Sequence, residues 1–114
     1  MTENKDINEM VKKLQQIQQQ LQVLMYQKQN VQVQQAEIEN ALKEVESGES
    51  TELYEIIGTV MIKREREGLL KSLKEKNEIL ELRLSTLEKQ IDNLSKSAKS
   101  IQDEVISLSK PKKK

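Results

Sequence analysis

The chain's 114 residues are 35% hydrophobic and 2% aromatic, with no Phe or Trp, which is too little bulk for an ordinary globular core. Basic and acidic residues number 19 each, so no overall field draws in nucleic acid or anionic lipid. Cys and His are both absent, which excludes disulfides, thiolate or imidazole metal sites, and the commonest general base.

The N-terminal stretch MTENKDINEM lacks the apolar core of a secretory leader, and no apolar run approaches the length of a membrane span. A soluble cytoplasmic protein is expected, with neither a membrane nor a nucleic acid as partner. Low hydrophobicity with high charge also describes disorder. Sustained periodicity argues for order instead.

Helix 1 is expected over residues 5–46. One heptad position reads Ile7, Leu14, Leu21, Lys28, Gln35, Leu42, and its companion reads Met10, Ile17, Leu24, Val31, Ile38, Val45. Ten of these twelve are apolar, a 3-4 spacing that marks a coiled-coil seam. Val23, Met25, Tyr26 and Val33 fall outside it, as scattered surface apolars commonly do. The cluster VESGESTE supplies a turn over residues 47–52.

Residues 53–64 change character. LYEII and VMIKR are dense in β-branched residues and flank Gly58-Thr59, which predicts a β-hairpin. Gly first in a two-residue loop suits a type II′ turn, because Gly reaches φ > 0 without strain. That turn places Tyr54, Ile56 and Met61 on one face, and Leu53, Ile57, Val60 and Ile62 on the other. A lone hairpin is marginal in water and both its edges are unpaired. One face is expected to rest on the root of the coiled coil. The other needs a partner, so the hairpin reads as an oligomerisation element joining copies edge to edge in a closed sheet.

Helix 2 is expected over residues 65–109. Its seam reads Leu70, Asn77, Leu84, Ile91, Ala98, Val105 and Leu73, Leu80, Leu87, Leu94, Ile101, Leu108, eleven of twelve apolar. Two helices of similar length joined by a short middle predict a mainly α fold, a long antiparallel coiled-coil hairpin. Seam residues whose numbers sum to about 115 then face each other, Leu21 with Leu94 for example, at the register of ideal heptads. Lys28, Gln35 and Asn77 fix that register at some cost in stability. Pro111 ends the helix, and residues 110–114 form a basic tail.

Two heptad helices flanking the hairpin LYEIIGTVMIKR, with the Gln-rich LQQIQQQLQVLMYQKQNVQ before it and Leu heptads after it, resemble the beta class of archaeal prefoldin over essentially the whole chain. One hairpin rather than two indicates the beta class. Two features depart from the family: Glu55 stands where a Lys is usual, and Gly68 lies at the start of helix 2. The resemblance implies a hexamer of two alpha-type and four beta subunits, hairpins in a double β-barrel, and coiled coils extending from it. It also implies ATP-independent capture of unfolded clients and their transfer to a group II chaperonin.

In that setting the open ends of the coiled coils would hold clients. The residues placed there are Ile7, Met10, Val11 and Leu14 on helix 1, with Ile101, Val105, Ile106 and Leu108 on helix 2. Val11 and Ile106 lie off the strict seam and are expected to be partly exposed. Met10 suits an adaptable surface. The seam members also close the coiled coil, and the two roles coexist. Lys110, Lys112, Lys113 and Lys114 are either a solvated tail or a dock on an acidic chaperonin surface. Five residues without aromatics are poor evidence for nucleic-acid binding.

No enzyme and no cofactor are expected: Gly48, Gly58 and Gly68 match no phosphate loop, and carboxylates on solvated helices have nothing to shift them toward catalysis. The competing reading is a structural coiled-coil adaptor that oligomerises through its hairpin and binds one folded partner.

Overall fold

The computed structural model describes residues 2–48 and 52–109, with the backbone alone for residues 2–5. The elements in order are α1 (Thr2–Ser47), β1 (Leu53–Ile57), β2 (Val60–Arg64) and α2 (Arg66–Ser109). The mainly α architecture with a central two-stranded hairpin is therefore as expected. The helices differ from the expected bounds by three residues at the start of α1 and by one residue at the end of α1 and at the start of α2. Ends fray over that range, and the composition offers no Pro or early Gly to stop α1 sooner.

The fold divides into two compact units, Met1–Lys28 with Thr86–Lys114, and Gln29–Ser85. The first unit joins the start of α1 to the end of α2, so the helices within it run antiparallel. The second holds the end of α1, the hairpin and the start of α2. Both helices are divided at positions summing to 114, in line with the register expected from the heptads.

The seam is legible in the burial pattern. All twelve seam positions of α1 are buried or half-buried, as are eleven of twelve in α2. The most covered side chains are Ile17 and Leu87 in the first unit, and Val31, Val45, Leu69 and Leu80 in the second. Each contributes about 1.5–3 kcal/mol of burial, so a helix pair is held by many modest contacts rather than by one dense core. Val23, Met25, Tyr26 and Val33 are all exposed, as off-seam positions require.

Near the hairpin the covered stripe widens. Ala41 is covered beside Leu42, Leu69 beside Leu70, and Ser72 beside Leu73. The small side chains at 41 and 72 suit a close approach of backbones. Asn77, half-buried in the seam, has a buried Oδ1 with no hydrogen-bond partner. Such an orphaned acceptor costs about 1–3 kcal/mol, the expense anticipated for a polar residue that disfavours other registers.

The helix ends at the hairpin are capped. Gly48 N–H donates to the Glu44 carbonyl at 2.8 Å, and Ser47 Oγ donates to the Lys43 carbonyl at 2.5 Å. The Val45 carbonyl, one of the four that α1 leaves unpaired within the helix, accepts from Arg66 Nη1 at 2.6 Å. On α2, the Glu65 carbonyl accepts from Leu69 N–H at 2.9 Å, and Glu67 sits in the first turn where the helix dipole favours a negative charge. Arg66 thus ties the start of one helix to the end of the other.

Candidate assembly hairpin and client-binding tips

β1 and β2 pair antiparallel, with Leu53 opposite Arg64, Tyr54 opposite Lys63, Glu55 opposite Ile62, Ile56 opposite Met61 and Ile57 opposite Val60. The loop is Gly58-Thr59. Gly58 has φ +62°, and among the described residues no other residue has a positive φ. A type I′ turn needs positive φ at both loop residues, whereas II′ needs it at the first alone, so the expected turn is the one compatible with this backbone.

Opposed residues share a face. One face carries Leu53, Glu55, Ile57, Val60, Ile62 and Arg64; the other carries Tyr54, Ile56, Met61 and Lys63. On the second face Ile56 is 70% and Met61 63% exposed. One face, not specified by the sequence, was expected to rest on the coiled-coil root; the first face is the more covered of the two, and only in part. Leu53, Glu55 and Arg64 are half-buried, but Ile57 and Val60 remain 55% exposed, and Ile62 is exposed as well. The reason lies in Glu55, at the centre of this face, whose contacts to the helix are polar. The apolar residues toward the loop extend beyond them.

Both oxygens of Glu55 are engaged. Oε1 accepts from Arg64 Nη1, and Oε2 accepts from Lys76 Nζ on α2 at 3.1 Å. The Lys76 hydrogen bond is the main influence holding the Glu55 carboxyl below the usual carboxylate value; desolvation opposes it, and the charges of Lys76 and Arg64 add to it. Tyr54 Oη donates to Glu52 Oε2 at 3.3 Å.

In the other unit, Ile7, Met10, Val11 and Leu14 on α1 are half-buried, as are Ile101 and Val105 on α2. Ile106 is 47% exposed, as an off-seam position predicts. Leu108 corrects the seam reading: it keeps the heptad spacing yet is exposed. It lies in the last described turn of α2. Ile106 and Leu108 thus give α2 an apolar end. The lysines of the tail, 110 and 112–114, lie outside the described residues.

Further along the same unit an open groove of about 630 Å³ is lined by Gln16, Gln20, Val23, Leu24, Gln90 and Leu94 among others. Sequence reasoning missed Ile79 and Leu82, both exposed on α2, and the cover over Leu69. The signal for the first two was present: apolar residues two positions after a seam residue. No group of acidic residues able to hold a metal ion occurs among the described residues, and no described helix is long and apolar enough to cross a membrane.

The prefoldin subunit family pattern matches residues 8–111. The chain is 37% identical over 106 residues to prefoldin subunit beta of Thermococcus onnurineus, covering 92% of this chain and 91% of the relative. The chain belongs to the prefoldin beta-subunit family. The prefoldin subunit beta of Archaeoglobus fulgidus is 32% identical over the same length. Among solved structures, the prefoldin beta subunit of Thermococcus strain KS-1 superimposes with a TM-score of 0.84 at 35% identity, over 93% of this chain and 95% of that one. Membership places the protein among chaperone components rather than in an enzyme class.

Proposed function

We propose that this prefoldin beta-class chain is a subunit of an ATP-independent holdase acting in the cytoplasm. Two alpha-type and four beta subunits assemble through their hairpins into a β-barrel, and the helix pairs leave their open ends free. Those ends capture unfolded or nascent proteins and pass them to a group II chaperonin.

One observation carries the reading: Tyr54, Ile56, Ile57, Val60, Met61 and Ile62 are exposed on both faces of a two-stranded sheet. A surface so apolar and so poor in backbone partners is unstable alone and is satisfied by further strands. For client capture, support comes from the exposed Ile106 and Leu108, with half-buried Met10 and Val11 available where coiled-coil ends fray.

The test replaces Val11 and Ile106 together by Ser. Neither is a seam position, so native mass spectrometry should give the same assembly. Suppression of aggregation, read by light scattering of a heat-denatured enzyme, should weaken several-fold. Unchanged protection would remove the tips from the mechanism. Selective binding of one folded protein, with no protection of varied clients, would favour the adaptor reading.

A further inference from the structure

The hairpin's orientation needs an explanation, because little apolar packing holds it. Of the seven apolar side chains in its strands, only Leu53 is half-buried; the other six are exposed. A single residue, Glu65, separates β2 from α2. One short joint leaves many angles open.

The ion pair restricts them. Glu55 lies opposite Ile62, four residues before α2 begins at Arg66, while Lys76 lies ten residues into that helix. A hairpin continuing along the axis of α2 would put Glu55 roughly 13 Å before the helix start, at about 3.3 Å per strand residue. Lys76 would be about 15 Å beyond that start, at 1.5 Å per helical residue. The resulting separation exceeds the combined reach of one Lys and one Glu side chain. Yet Lys76 Nζ is 3.1 Å from Glu55 Oε2. The hairpin must therefore fold back along the first three turns of α2.

We propose that Glu55 is a positioning residue for the assembly hairpin, tying β1 to α2 through Lys76 so that the hairpin is held folded back and presents its apolar faces at one fixed angle. This rests on the hairpin being the assembly element. The geometry suits the task. The Glu55 side chain is only 11% exposed, and its two oxygens are taken by groups from two different elements. Arg64, diagonally across the strands, fixes the carboxylate within the hairpin, and Lys76 then reaches the oxygen that remains. Holding each hairpin at one angle before encounter lowers the ordering cost of joining several into a sheet.

The 114-residue chain contains no Cys, so spin labels can be placed by Thr59→Cys and Glu81→Cys, on the loop and on α2. Pulsed dipolar distance measurement should give a narrow distribution in this parent. Lys76→Gln should broaden it and shift it to longer distance. Glu55→Lys, which places three cations together, should do so more strongly, and Glu55→Lys with Lys76→Glu should return it toward the parent. Arg64→Gln, which spares the Lys76 contact, should change it least. In native mass spectrometry with an alpha-class prefoldin subunit, Lys76→Gln should raise the concentration needed for half-assembly about tenfold. Unchanged distances and assembly in both Lys76→Gln and Glu55→Lys would overturn the proposal. A parent that holds the narrow distance but never assembles would instead refute the hairpin's assembly role.

Discussion

Placing Asp at both Ile57 and Val60 separates a surface that waits for a partner from one that merely faces water. In the lone chain each side chain is 55% exposed. Their replacement there should change stability by no more than about 0.5 kcal/mol apiece, the usual range for surface sites. In an assembled sheet the remaining half of each side chain is covered. That half is worth roughly 1 kcal/mol per residue, given about 1.5–3 kcal/mol for complete burial. A carboxylate enclosed without a partner adds several kcal/mol more. The combined loss is roughly 5 kcal/mol or greater, which corresponds to more than about a thousandfold in association. Circular dichroism melts should therefore keep the parent's helicity, while native mass spectrometry with the alpha-class subunit should show released subunits. Persistent assembly at the parent's concentration would refute the argument. So would a collapse of helicity in the lone chain, since the residues would then be supporting the fold.

Asn77→Leu should raise the thermal unfolding free energy by about 1–3 kcal/mol by removing the orphaned Oδ1; an unchanged or lower value would mean that the acceptor is satisfied. Gly58→Val should weaken the hairpin by about 1–2 kcal/mol, through the positive φ rather than through crowding, because an added Cβ meets nothing within 4 Å. Faster amide exchange in residues 53–64 measures this loss. The Glu55 carboxyl is lowered in the folded chain, so the stability it lends is present above its unfolded value and is lost as pH falls through the lowered folded value. Hairpin exchange should quicken on such acidification, and Glu55→Gln should abolish that dependence; an equal response in this variant would assign the effect to other carboxylates.

The helices were legible because the 3-4 spacing repeats without a break, and the covered positions follow it through both units. The hairpin was legible from β-branched density around one Gly, and its register follows from the two-residue loop. What stayed hidden depends on contacts distant in sequence. Glu55 and Lys76 are 21 residues apart, and no local pattern pairs a strand carboxylate with a helix amine. Leu69 and Ala41 are covered where the hairpin joins the helix pair, beyond what a heptad can describe. Leu108 has seam spacing yet is exposed in the last described turn of α2, and periodicity carries no information about how far cover extends. The expectation that one hairpin face would rest on its own helices was met only in part, because Glu55 holds that face through polar contacts and leaves Ile57, Val60 and Ile62 outside.

If the hairpin recruits copies of its own kind and of the alpha class, native mass spectrometry of this chain, with and without an alpha-class prefoldin subunit, should give a discrete complex of two alpha and four beta chains in the mixture. A chain that stays a stable monomer at every ratio and concentration would rule out assembly through the hairpin.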